Sequence, residues 1–211
     1  MLAGQHIDVA EAEQYVSPED GVVVDVGAEQ GEVSEHFLSR GYSVYAFEPS
    51  GRNAAILRSI KGLHVLQVAC SDRSGNGHLE VSGSSWAHRL GATGQKVRLI
   101  RLGEFLREQG LAKVALLKVD TEGHEPEVLR GLFDHSNVRP SLIMVEFVKG
   151  NLQHIIDCLP DEYLHFRVIA RSNERPLTTQ IRLGMYDGLD PAIYEADWGN
   201  LLAAVRPFRV T

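Results

Sequence analysis

Val22-Val23-Val24-Asp25-Val26-Gly27-Ala28-Glu29-Gln30-Gly31 decides the fold. A continuous β-branched run of this kind predicts a strand buried on both faces, and the glycines that end it predict a tight turn into a helix. Val33, Phe37 and Leu38 follow at helical spacing, and Gly41 stands where such a helix would stop. Strand, glycine turn and helix make one unit.

Working outward, the chain repeats that unit. Residues 42–47, 64–69, 114–119, 141–147 and 165–170 read as strands, residues 52–60, 125–133 and 152–159 as helices, and residues 201–205 as a closing strand. Pro126 suits a first helical turn, where a missing amide proton costs little. Upstream, residues 8–16 look helical, with Asp8 and Glu11 placed as a capping box, and Ser17-Pro18-Glu19-Asp20-Gly21 breaks the pattern. Alternation of this kind predicts an α/β fold: a doubly wound, mostly parallel sheet with helices on both faces. One domain over residues 1–211 is expected, with an N-terminal helix and loop at 1–20, a ligand-binding core at 21–150, and C-terminal strands with a long connection at 151–211.

Two regions break the rhythm, residues 71–103 and 171–200. In the first, residues 78–81 and 97–102 are expected to pair as short strands, leaving Ser82-Gly83-Ser84-Ser85-Trp86-Ala87-His88 as an exposed polar loop. In the second, residues 177–183 alternate like a strand but have no evident place in the sheet.

Composition narrows the function classes. The formal charge of −7 and the lack of a long basic run argue against a nucleic-acid partner. Asp8, Glu11, Glu13, Glu19 and Asp20 crowd the first twenty residues, so no secretory signal is expected, and no stretch is long enough to span a bilayer. The expectation is a soluble cytoplasmic protein. Cys70 and Cys158 lack metal-ligand spacing and read as reduced, buried thiols. The oligomeric state is not set by the sequence.

In doubly wound sheets ligands bind beyond the carboxyl ends of the strands. Glu48 ends the second strand 23 positions after Asp25, near the spacing at which an acid accepts ribose hydroxyls. A dinucleotide loop would place a second glycine where Glu29 stands, and a carboxylate there repels phosphate. The pattern fits a nucleoside with a cationic tail, which describes S-adenosylmethionine. Three other readings stand beside it: a tight turn with a solvated acid, a nicotinamide-dependent oxidoreductase, and a non-catalytic nucleoside-binding protein of the same fold.

The glycine turn, Val44-Tyr45-Ala46-Phe47-Glu48-Pro49, Leu116-Leu117-Lys118-Val119-Asp120-Thr121-Glu122-Gly123-His124-Glu125 with Val128-Leu129-Arg130-Gly131, and Val145-Glu146-Phe147 together resemble the FkbM-type methyltransferases over roughly residues 20–150. The resemblance implies a seven-strand class I methyltransferase sheet and methyl transfer from S-adenosylmethionine, usually to a hydroxyl. By position it implies that Asp25, Gly27 and Gly31 line the methionine part, Glu48 the ribose and Asp72 the adenine edge. It also implies that Asp120 and Glu122 face the transferred methyl. One departure is Gly103, which stands where such proteins often carry an acid and is expected to weaken the helix that starts there. Residues after about 150 match no pattern of the family.

Methyl transfer to a hydroxyl needs the nucleophile held against the methyl carbon and a base for its proton. Asp120, Glu122 and His124 are the candidates, with Glu125 better explained by the helix start it occupies. His124 reads equally as a packing residue. The acids near Asp120, with Glu146, match no recognised metal motif, and no metal is expected. Trp86 and His88 either close over the acceptor or anchor their loop. The expected acceptor is a small hydroxylated molecule or sugar.

Overall fold

The computed structural model describes residues 5–81, 88–171, 176–182, 193 and 196–208. Its elements run α1 (Gln5–Glu13), a 3-10 turn (Pro18–Asp20), β1 (Val22–Val26), α2 (Glu32–Leu38), β2 (Val44–Phe47), α3 (Gly51–Leu57) and β3 (His64–Leu66). Then come β4 (Ala69–Cys70), β5 (Gly75–Glu80), β6 (Arg89–Gly91), β7 (Gln95–Ile100), α4 (Leu102–Glu108), β8 (Val114–Val119) and α5 (Glu125–Phe133). The chain ends with β9 (Leu142–Val148), α6 (Leu152–Ile156), β10 (His165–Arg171), β11 (Pro176–Arg182) and β12 (Trp198–Ala204). No described helix is long and apolar enough to cross a membrane.

The larger sheet has the order β11-β10-β12-β9-β8-β1-β2-β3. β1 lies parallel between β2 and β8, so the strand order reverses there, and Asp25 sits level with Ala46 on one side and Lys118 on the other. This is the doubly wound, mostly parallel arrangement expected from the sequence. β12 runs antiparallel between β9 and β10, and β11 adds an eighth, antiparallel edge strand.

The continuous apolar runs serve two cores. Val24, Val26, Leu117, Val119, Ile143 and Val145 meet Leu102, Leu106, Val128 and Leu129 on the face covered by α4 and α5. Their neighbours Val23, Leu116, Leu142 and Met144 meet Val9, Ala12, Val33 and Phe37 on the face covered by α1 and α2. A strand's side chains alternate, so a strand with helices on both sides needs apolar residues at every position.

Several expectations change in detail. The expected strand at 64–69 divides, because the chain turns after Leu66 and β4 leaves for a second sheet, ordered β4-β7-β5-β6. The expected pairing inside residues 71–103 is present as antiparallel β5 and β7. The strand at 177–183, without a place in the sequence reading, is β11 beside β10. Asp8 is no cap: α1 already runs from Gln5, and the buried Asp8 carboxylate accepts the Asn200 side-chain amide at 2.8 Å. The cap belongs to Ser17, whose amide donates to Asp20 at 2.8 Å. Gly103 has a packing reason, since a Cβ there would lie 2.5 Å from the Leu132 carbonyl oxygen, and its absence lets α4 lie against α5. Residues 82–87, with Trp86, lie outside the described residues.

Candidate active site

A cleft of about 920 Å³ opens at the carboxyl ends of β1, β2, β8 and β9. Its first wall is the turn after β1. Gly27 is left-handed at φ 76°, and a Cβ there would lie 1.7 Å from the Asp120 carbonyl oxygen, so only glycine lets the ends of β1 and β8 approach this closely. The amides of Gly27 and Ala28 donate to the Phe47 carbonyl at 2.9 and 3.2 Å. Glu29 also takes a left-handed backbone, φ 50°, which is uncommon outside glycine and concentrates at functional sites. Its amide donates to Glu48 Oε2 at 3.0 Å, while the Ser50 amide donates to Oε1 at 2.7 Å. Burial pushes the Glu48 carboxyl up to about 7, against the opposing pull of these amides and of Lys118.

Beneath this turn lies a buried charge cluster. Asp25 is fully buried, accepts the Ser34 hydroxyl at 2.7 Å and faces Lys118 Nζ at 3.4 Å. Lys118 Nζ donates to the Gly27 carbonyl at 2.7 Å and stands 3.5 Å from Asp120. Burial opposes the ammonium charge, but Asp120, Asp25 and Glu146 outweigh it and hold its pKa above the ordinary value.

The second wall is the loop after β8. Glu125 Oε1 accepts the Thr121 amide at 2.9 Å, the Thr121 hydroxyl at 3.0 Å and the Gly123 amide at 3.0 Å, so its carboxylate ties the loop to the start of α5. Held in this way, Glu122 adopts a left-handed backbone at φ 56°. Asp120, Glu122 and Glu146 offer oxygens within 4.8 Å of one another, the one such group able to hold a metal ion among the described residues. Burial, then the Asp120 charge and a hydrogen bond to it, raise Glu146 to about 9. Burial, then the charges of Asp120 and Glu125, raise Glu122 to about 7. His124 Nε2 lies 3.0 Å from the buried Ser71 hydroxyl and Nδ1 3.5 Å from Glu127. Burial lowers its pKa, which leaves a neutral imidazole at pH 7.

Of the residues singled out in the sequence, Gly27, Glu48, Asp120, Glu122 and His124 line the cleft together. Asp25 lies under the floor. Gly31 faces Leu57 and Ile60, which a Cβ would strike at 2.8 and 2.6 Å, and is not part of the lining. Asp72 also stands outside the lining, 3.2 Å from the Ser71 hydroxyl and 3.9 Å from Arg73. His88 joins Leu79 and Leu90 on the wall formed by the second sheet. Sequence reasoning missed Lys118, although a lysine inside an apolar strand, two positions before Asp120 and therefore on the same side, was a usable signal. It also missed Asp197 and Trp198, which enter the lining because β12 starts beside Val148.

Comparison with known proteins identifies the family and the fold. Residues 25–168 match the family model described as the methyltransferase FkbM domain. The chain is similar to the 31-O-demethyl-FK506 methyltransferase FkbM of Streptomyces tacrolimicus, 27% identical with 76% of this chain and 78% of that protein covered. Among solved structures it resembles an rRNA methylase from Streptococcus thermophilus, with TM-score 0.53, 8% identity, and 97% of this chain and 98% of that one covered. It also resembles a predicted O-methyltransferase from Agrobacterium tumefaciens, with TM-score 0.52, 13% identity, and 93% and 79% covered. A third likeness is to precorrin-6y C5,15-methyltransferase from Geobacter metallireducens GS-15, with TM-score 0.51, 11% identity, and 96% and 88% covered. At these identities the structural likeness concerns the fold.

Proposed function

Because the chain belongs to the FkbM methyltransferase family, we propose that it transfers the methyl group of S-adenosylmethionine to a hydroxyl oxygen of a small molecule or sugar. The observation that carries this reading is the pairing of Glu48 with the left-handed turn at Gly27 to Glu29, across the strand-order reversal from Asp120 and Glu122. Glu48 has lone pairs left for two ribose hydroxyls after accepting two amides. The carboxylates around the cleft suit a ligand with a positive sulfur and an amino group, and would repel a pyrophosphate. Val68, Ala69, Cys70, Leu79 and Leu90 supply an apolar slot for a planar base.

When bound, S-adenosylmethionine supplies a methyl carbon on a cationic sulfur, open to in-line displacement. The residues at the ends of β8 and β9 would hold the acceptor hydroxyl against that methyl, and one of them would take the hydroxyl proton as the methyl leaves sulfur for oxygen. Glu122 is that base in our reading, since its carboxyl titrates near neutrality at the loop nearest the acceptor. His124 is held by Ser71 and Glu127 and orients the loop. Lys118 shares its charge between Asp25 and Asp120, and in our reading the transfer proceeds without a metal ion. Titration calorimetry with S-adenosylhomocysteine tests the reading. Saturable binding supports it, and binding of NADH in its place refutes it.

A further inference from the structure

We propose that Lys118 is a positioning residue for the methyl donor: its ammonium ties the Gly27 turn to the Asp120 loop from below and is not itself a ligand. The proposal rests on the donor binding in this cleft. An ammonium has three N–H donors with no preferred plane. Lys118 Nζ donates to the Gly27 carbonyl at 2.7 Å and stands at ion-pair distance from two carboxylates, Asp25 at 3.4 Å from the end of β1 and Asp120 at 3.5 Å just after its own strand. The register that sets Asp25 opposite Lys118 puts all of them at one level of the sheet.

The same junction is where the backbone is tightest. Gly27 approaches Asp120 so closely that no side chain fits between them. In that turn the Gly27 carbonyl points down into the floor, where Lys118 Nζ meets it. Lys118 borders the cleft with only about one-twelfth of its side chain exposed, and its ammonium is turned to the Gly27 carbonyl, so it acts on a donor through the turn that it holds. Without it, the turn loses a partner and Asp25 keeps only the Ser34 hydroxyl.

Four proteins test this: wild type, Lys118→Arg, Lys118→Met, and Lys118→Met combined with Asp25→Asn, which removes the buried carboxylate that methionine would strand. Each is titrated with S-adenosylhomocysteine and melted without ligand. Wild type failing to bind would overturn the proposed function, whereas the present inference is judged on the variants of a wild type that binds. We expect both methionine proteins to bind at least roughly tenfold more weakly, the scale of one lost charge-assisted contact. The double variant should melt close to wild type and still bind weakly. Lys118→Arg keeps the buried positive charge and should melt closer to wild type than Lys118→Met, but it should not recover the affinity, because a planar fork cannot meet three oxygens spread over two segments. Wild-type affinity in the double variant or in Lys118→Arg, or tighter binding in either methionine protein, would overturn the inference.

Discussion

Glu48 Oε2 accepts the backbone amide of Glu29 at 3.0 Å, which makes the acid that ends β2 and the turn that ends β1 a single structural unit. Replacing Glu48 by alanine therefore removes a ribose acceptor and loosens the turn together. A charge-assisted hydrogen bond is worth about 1.5 to 3 kcal/mol, so Glu48→Ala should weaken S-adenosylhomocysteine binding by at least roughly tenfold. Unchanged calorimetry would remove the ribose role.

Stability should fall as pH rises across the neutral range. Glu48 and Glu122 are raised to about 7 and Glu146 to about 9, each first by burial, so the folded state holds protons that the unfolded chain has released. A carboxyl raised in this way favours the fold below its ordinary value and progressively loses that benefit as pH climbs through the folded value. Melting temperature of the ligand-free protein should thus decline from about pH 5 to about pH 9, and Glu146→Gln should shallow the upper part of the decline. A flat profile in wild type would refute the assignment.

Glu122 and His124 separate by what they disturb. Glu122→Gln removes the proposed base and should lower single-turnover methyl transfer by about 10² to 10⁴ while leaving donor affinity nearly intact. His124→Ala should cost less, because the imidazole holds the loop through Ser71 and Glu127. Wild-type turnover in Glu122→Gln would move the base elsewhere.

Chelation should leave turnover unchanged. Asp120 lies 3.5 Å from the buried ammonium of Lys118, a cation already in place beside the carboxylates. Loss of activity in EDTA with recovery on adding Mg²⁺ would instead make Asp120, Glu122 and Glu146 metal ligands.

Gly103→Ala probes the packing that carries the cleft. The added methyl would meet the Leu132 carbonyl at 2.5 Å and backbone of Gly131 and His135 at 3.1 and 3.0 Å, so α4 must shift from α5. Overpacking of this kind costs about 1 to 3 kcal/mol, which outweighs the gain of under about 1 kcal/mol in helix propensity. Urea denaturation should show a net loss of stability with donor affinity preserved.

The sequence by itself determined the doubly wound sheet, the glycine turn after β1, and Glu48 and Asp120 at strand ends. These depend on local rules: β-branched runs for doubly covered strands, glycine where backbones meet, and ligands at the carboxyl ends where strand order reverses. Tertiary structure alone decided how those residues divide the work. It put Asp25 beneath the cleft, turned Gly31 toward Leu57 and left Asp72 outside the lining. It brought Glu146 to Asp120, and it carried Trp198 to the lining on a strand inserted antiparallel between β9 and β10. The reason is physical: spacing along the chain specifies which side of a strand a residue faces, but its charge partners come from strands and loops remote in sequence, whose separations are set only when both cores close.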